Sequence, residues 1–258
     1  MWPEKKWEPA QLLMLGMLVF LSFAGAVLAS AIVYRLTKGH LSIHGSTLVT
    51  AIIGVLGFQG AAVVWVHFFL KQHGMTWGEA FGFARGNHAQ CLGAALVALP
   101  VVWVTTLGLS KMSELILNRL HAQMQWDWLK PELQPMVQLL QREWPVYLLL
   151  VQAFLAIVVA PLGEEILFRG VIYTAIKQRG HRIGAVCASA LLFALIHSSP
   201  VNLISLLFLA LVLVALYERT RNLLAPILLH SLFNAVNFVL ILNPEWAERV
   251  FKRWMNWN

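Results

Sequence analysis

The feature that most restricts the fold of this chain is a series of long apolar runs, each about as long as a membrane is thick. A hydrocarbon core of about 30 Å takes about 20 helical residues to cross. The runs are uncharged except for a patch in the fourth, and they cover about residues 10–34, 48–70, 89–110, 145–176, 183–197, 201–217 and 223–242. The fifth and sixth are short for a full crossing, which indicates burial among neighbouring helices. The sequence therefore predicts an all-α fold, a polytopic transmembrane bundle of about seven spans.

The composition agrees with a membrane protein and argues against a soluble one. Of the 258 residues, 59% are hydrophobic and 12% are charged, whereas soluble domains carry about 25% charged residues. The net charge of +7 comes from basic residues between the apolar runs, where Lys and Arg meet lipid head groups. They form no basic face for nucleic acid. We expect an integral, multi-pass protein of the cell membrane that contacts lipid and binds no nucleic acid.

Two segments differ from the spans because they mix tryptophans with basic residues. They are about 111–144 and 244–257, and the mixture predicts amphipathic helices that lie in the membrane interface. The loops leave no room for a soluble domain, so we expect 1–258 to form a single membrane domain. Within it, 1–144 supplies N-terminal membrane helices and the interfacial segment, and 145–242 forms a helical core.

Ionisable side chains inside the apolar runs are few, and an ionised group in lipid costs several kcal/mol. Glu165 and Arg169 are four residues apart in the fourth run, so they share a helix face and can form an ion pair. Glu164 points about 100° away from that face and has no such cation. The other candidates for a site are His197 at the end of the fifth run, and His230 and Asn234 in the seventh; His67, late in the second run, is interpreted as an interfacial or core histidine.

The depths of these groups in the membrane coincide. Each depth is counted at about 1.5 Å per residue from the charged loop at the end of its helix. The depths are about 20 Å for Glu164, about 22 Å for His197, about 12 Å for His230 and about 18 Å for Asn234. These loops lie on one side of the predicted membrane, so three helices place polar groups in one slab. We expect the four side chains to surround one site.

The chemistry of this set suits hydrolysis by an activated water. Glu164 can take a proton from water as a general base. His230 and Asn234 share a helix face and can donate hydrogen bonds to a developing oxyanion, while His197 helps to hold the water. Such a set can hydrolyse an amide without an acyl-enzyme intermediate and without a cofactor.

Other functions remain open at this point. Glu164, His197 and His230 could bind zinc and leave a fourth position free, although the chain has no His-Glu-x-x-His sequence. The constellation could also be structural, in a non-catalytic immunity or scaffold protein. A small transporter that relays protons through its carboxylates is a third possibility.

At these residues the sequence resembles the CPBP family of CAAX proteases and bacteriocin-processing enzymes, also called the type II CAAX prenyl endopeptidase or Abi-domain family. The family patterns are Glu-Glu-x-x-x-Arg, Phe-x-x-x-His and His-x-x-x-Asn on successive membrane helices. All three occur here in order, at 164–169, 193–197 and 230–234. The resemblance covers about 145–242 and marks this segment as the catalytic core.

The resemblance implies an intramembrane endopeptidase in which Glu164 activates water, without a metal. The substrate class it implies is a membrane-associated peptide or protein. It gives supporting roles to Glu165 and Arg169, and it assigns water binding or oxyanion stabilisation to His197, His230 and Asn234.

Overall fold

A computed structural model of the protein describes residues 7–37, 43–126, 144–246 and 249, and within these ranges the chain is helical without strands. Two of the helices contain π-helical turns. Helix α2 comprises Ile43–Val55, the π-helical turn Leu56–Gly60 and Ala61–Gln72; α5 comprises Val146–Phe154, the turn Leu155–Val159, Ala160–Glu165, the turn Ile166–Tyr173 and Thr174–Lys177. The others are α1 (Pro9–Thr37), α3 (Trp77–Phe81), the 3₁₀ turn Phe83–Arg85, α4 (His88–Met124), α6 (Arg182–Ile196), α7 (Leu203–Thr220) and α8 (Leu224–Leu242).

The predicted all-α membrane bundle is confirmed. Among the described residues, six helices are long and apolar enough to cross a membrane, namely α1, α2, α4, α5, α7 and α8. Helix α6 has 15 residues and spans about 22 Å, less than the hydrocarbon core. It packs against α7 and the second π-helical turn of α5. The short fifth run is therefore a helix supported by its neighbours, as its length indicated.

The interfacial segment predicted at 111–144 differs from the structure in its first part. Residues 111–124 do not begin a new helix but continue α4, which is 37 residues long and extends over about 55 Å. The prediction of a separate interfacial helix is wrong for these residues, because no glycine or proline interrupts the helix there. Residues 127–143 lie outside the described residues, as does most of the second predicted interfacial segment, 244–257.

Helix α5 lies at the centre of the bundle. From Gly163 to Val171 its residues are buried on every side, the pattern of a helix enclosed by other helices. It contributes to two hydrophobic cores. The first core joins it to α1, α2, α3 and α7 through Val19, Val66, Phe69, Phe81, Ile166, Val171 and Tyr217. The second joins it to α4, α6, α7 and α8 through Ala95, Phe168, Phe193, Leu209, Leu213 and Leu229.

The outer faces of the bundle are apolar. Large side chains such as Leu13, Phe20, Leu28, Val97 and Leu150 are exposed. Apolar patches of this extent are unusual on proteins that face water, and they suit contact with lipid chains. The surface thus supports an integral, multi-pass membrane protein.

Close packing at Gly170 fixes the short helix α3 against α5. A Cβ on Gly170 would lie 2.7 Å from the ring of Phe81, so only a glycine accepts that ring. The carbonyl of Phe81 accepts a hydrogen bond from the amide of Leu223 (2.9 Å) at the start of α8. Because Gly170 directly follows Arg169, these contacts connect α5, α3 and α8 next to the polar residues of α5.

Candidate active site

Glu164 is the centre of a buried polar site between helices. Its Oε2 lies 4.0 Å from Nε2 of His197 and 3.9 Å from Nε2 of His230. Glu164 and His230 are buried, whereas 22% of the His197 side chain is exposed. The convergence of these three residues, predicted from their depth, is confirmed. Their catalytic roles stay predictions.

Hydrogen bonds define the orientation of both imidazole rings. His197 Nδ1 lies 2.7 Å from the carbonyl of Phe193, one turn earlier on α6. Since a carbonyl can only accept, Nδ1 carries the hydrogen. His230 Nδ1 likewise donates to Glu165 Oε1, at 2.9 Å. Both Nε2 atoms therefore face Glu164, and each accepts a hydrogen bond when its ring is neutral or donates one when the ring is charged.

Glu165 forms the ion pair that its spacing predicted. Its Oε1 accepts from Arg169 Nη1 at 2.8 Å, and both side chains are completely buried. The same oxygen also receives the Nδ1 hydrogen of His230, a contact that the sequence analysis did not predict. Glu165 thus neutralises a buried cation and orients a histidine of the site, as carboxylates commonly do for functional histidines.

Arg169 is held by two further contacts besides Glu165. Its Nη2 donates to the carbonyl of Ala210 on α7 (3.3 Å). Its guanidinium lies 4.5 Å from the centre of the Phe193 ring, a cation–π arrangement. The Phe193 ring also contacts His197 and His230. The Phe of the second family pattern therefore forms a wall of the site between Arg169 and both histidines.

Asn234 lies one turn beyond His230 on α8 but makes a different contact. Its Nδ2 donates to the carbonyl of Ala156 (2.9 Å) in the π-helical turn Leu155–Val159. The structure thus joins Asn234 to the backbone of α5, upstream of Glu164. An amide nitrogen carries two hydrogens, so one remains for another acceptor. The place of Asn234 beside the other three residues stays a prediction.

Gln59 is a residue of the site that the sequence analysis missed. It lies in the π-helical turn Leu56–Gly60 of α2, and its Nε2 donates to Glu164 Oε1 at 3.0 Å. The available signal was weak, because Gln59 is an uncharged amide in the second apolar run. A polar side chain inside a predicted span is nevertheless a reason to expect a partner on another helix.

The spacing of the three central side chains can be compared with the spacing that a water or a metal ion requires. Two ligands of one tetrahedral zinc are about 3.4 Å apart, whereas Glu164 Oε2 is 3.9 and 4.0 Å from the histidine nitrogens. Across the described part of the chain, no group of three His, Cys, Asp or Glu side chains could hold a metal ion. A water oxygen about 2.8 Å from Glu164 Oε2 and from one histidine Nε2 would instead have an angle of about 90° between these two contacts. These separations suit a water, and a reaction without a metal stays a prediction.

Comparison with known proteins finds a family whose model matches residues 146–236. They match the family described as "Type II CAAX prenyl endopeptidase Rce1-like". The curated protein "Putative membrane peptidase YdiL" of Bacillus subtilis (strain 168) is 28% identical over 87 residues, which are 34% of this chain and 36% of that relative. The match thus spans about a third of the relative's length. No solved structure matches the chain.

The matched residues contain the three patterns identified in the sequence, and the structure brings Glu164, His197 and His230 of those patterns together. Residues 146–236 of this chain are therefore similar to the Rce1-like family of type II CAAX prenyl endopeptidases.

Proposed function

We propose that this protein is an intramembrane endopeptidase that hydrolyses a peptide bond of a membrane-associated peptide or protein. The observation that carries the proposal is the position of Glu164 Oε2, within 4.0 Å of Nε2 of both His197 and His230. A buried carboxylate facing two ring nitrogens can bind and polarise a water. The family match supports the same class of reaction.

In the proposed mechanism, Glu164 is the general base. It takes a proton from a water held between Oε2 and the histidines, while the water oxygen bonds to the carbonyl carbon of the substrate. The resulting tetrahedral intermediate breaks its C–N bond, and the leaving nitrogen receives the proton from Glu164. The products are a new carboxyl terminus and a new amino terminus, so the reaction requires only water and forms no acyl-enzyme.

The other polar residues would assist this reaction in distinct ways. His197, with its Nδ1 hydrogen on the Phe193 carbonyl, would hold the water through Nε2. His230 is oriented by Glu165, which would stabilise positive charge on the ring as it donates to the oxyanion. Asn234 would donate its second amide hydrogen to the same oxyanion.

We further propose that the substrate reaches the site from the membrane, and that the protein acts in the cell membrane. Glu164 is buried within a helix that is long and apolar enough to cross a bilayer. A lipid-anchored or membrane-inserted chain is therefore suited to reach it, because its anchor shares the bilayer with the enzyme.

The test is cleavage of a library of membrane-associated peptides, prenylated and unprenylated, by purified protein in lipid vesicles. Mass spectrometry of new termini should identify products with the wild type and with Glu114→Gln, but none with Glu164→Gln. Glu114 is the matched control because it lies on α4 in an exposed ion pair with Lys111. Equal cleavage by Glu164→Gln would contradict the role of Glu164. No cleavage by folded wild type would favour a non-catalytic immunity or scaffold function.

A further inference from the structure

The Glu164 carboxylate has one oxygen facing the histidines and one facing a different helix. Oε2 is the atom near His197 and His230. Oε1 accepts a hydrogen bond of 3.0 Å from Gln59 Nε2. An ionised carboxylate can only accept hydrogen bonds, so the amide hydrogen of Gln59 restrains the rotation of the carboxylate.

The backbones of the two helices approach each other closely at this contact. A Cβ on Gly163 would lie 2.6 Å from Cβ of Gln59 and 2.7 Å from its carbonyl oxygen. Contacts that short do not occur in folded proteins, so α5 can lie this close to α2 only because residue 163 is a glycine. The glycine directly before Glu164 thus brings Gln59 within reach of it.

The local geometry of α2 also directs Gln59 toward α5. Gln59 lies within the π-helical turn Leu56–Gly60, where one extra residue per turn changes the direction of the side chains that follow. Such turns occur frequently at functional sites. A second π-helical turn, Ile166–Tyr173, begins directly after Glu165. Helices α2 and α5 therefore each have a π-helical turn at or next to the hydrogen bond between Gln59 and Glu164.

We propose that Gln59 is a positioning residue of the peptidase: it holds Glu164 Oε1 so that Oε2 faces the water and both histidines. The inference rests on the proposed function, since it assigns Gln59 a role in that reaction. Gln59 lies outside the matched residues 146–236. The N-terminal helices would then complete the active site as well as anchor the chain.

The role can be tested with Gln59→Met, which keeps the length of the side chain and removes the donor. The matched control is Gln11→Met, since the Gln11 Oε1 also bonds a side chain of another helix, His73 Nε2 at 2.8 Å, but lies outside the site. On a cleaved library peptide, we expect kcat to fall about 10-fold to 100-fold for Gln59→Met, with KM unchanged. Gln59→Asn, whose amide is one methylene too short, should change kcat in the same direction.

A second measurement does not depend on activity. Gln59→Met should lower the melting temperature by about 4 °C or more when Glu164 is present, because the buried carboxylate loses a donor. In a Glu164→Met background the same change should lower it by less than about 1 °C. Equal shifts in the two backgrounds would show that Gln59 does not act through Glu164.

The kinetic outcomes separate this inference from the proposed function. If the wild type is active and Gln59→Met keeps the kcat of the wild type, as Gln11→Met should, the positioning role alone is overturned. A wild type that cleaves no peptide would overturn the proposed function and the inference with it. A fall in kcat at constant KM, together with the background-dependent melting temperature, would establish the role.

Discussion

Glu165 and His230 are joined by a hydrogen bond of 2.9 Å between Oε1 and Nδ1 in the interior of the bundle. The same oxygen pairs with Arg169 Nη1 at 2.8 Å. The Glu165 carboxylate therefore neutralises Arg169 on α5 and also orients His230 on α8. The adjacent Glu164 has no cation as partner among the described residues and faces both histidine Nε2 atoms. Two consecutive glutamates thus have different environments, which predict different effects of the same substitution.

Glu165→Gln should reduce the stability of the protein more than Glu164→Gln. Loss of the Glu165 charge leaves the buried guanidinium of Arg169 without a carboxylate, which costs about 3–5 kcal/mol in comparable buried pairs. Glu164 forms no ion pair with a lysine or arginine side chain among the described residues, so Glu164→Gln leaves none of these cations without its carboxylate. Thermal unfolding in one detergent, with Glu114→Gln as the exposed control, measures the difference. The reverse order would mean that the roles of the two glutamates are exchanged.

Alanine substitution of glycines should separate tight helix contacts from open ones. Gly163→Ala and Gly170→Ala place a Cβ within 2.8 Å of Gln59 and Phe81, and we expect each to destabilise by about 1–3 kcal/mol because the core is overpacked. Gly93→Ala is the control, since a Cβ there meets nothing within 4 Å. It should be neutral or stabilising, because alanine favours helix. Equal melting temperatures for all three variants would contradict the close approach of α5 to α2 and α3.

Much of this arrangement was predictable from the sequence because it depends on local spacing. The lengths of the apolar runs predicted the helices that could span a membrane. The four-residue spacing predicted the Glu165–Arg169 contact. Counting residues from the charged loops predicted that Glu164 and the histidines share one depth.

The remaining features depend on how the helices are arranged laterally, which the sequence pattern does not encode. The depth of a residue in the membrane does not determine how its helix is rotated about its axis. It therefore could not predict that His230 Nδ1 bonds Glu165 or that Asn234 bonds the Ala156 carbonyl. Gln59 was missed because an uncharged amide does not interrupt an apolar run, and because its partner is 105 residues away along the chain. The π-helical turns have no signal in hydrophobic periodicity.

His230→Ala and Asn234→Ala should each lower kcat about 10²-fold to 10³-fold, the usual effect of removing one oxyanion donor. KM should change little, because the lost hydrogen bond strengthens in the transition state. Asn243→Ala is the control for Asn234, since Asn243 also donates to a backbone carbonyl, that of Val239, but lies at the far end of α8. If Asn234→Ala and Asn243→Ala gave the same kcat, Asn234 would have no part in the reaction.

Exhaustive chelation should leave the activity unchanged. The distances around Glu164 suit a water and are longer than the separation of two ligands of one tetrahedral zinc. The measurement is the rate of peptide cleavage before and after chelation, with the metal content of the same preparation. Activity that is lost on chelation and restored by stoichiometric zinc would instead make Glu164, His197 and His230 metal ligands.

Activation of the water by Glu164 can be measured by single-turnover cleavage with Glu164→Gln, together with substrate binding. Gln has the shape of Glu but cannot accept the proton. If Glu164 is the base, Glu164→Gln should unfold at a temperature close to that of the wild type and bind the substrate peptide with the same Kd, while the cleavage rate falls below detection. If folded Glu164→Gln binds the peptide and cleaves it at a rate near that of the wild type, Glu164 is not the base.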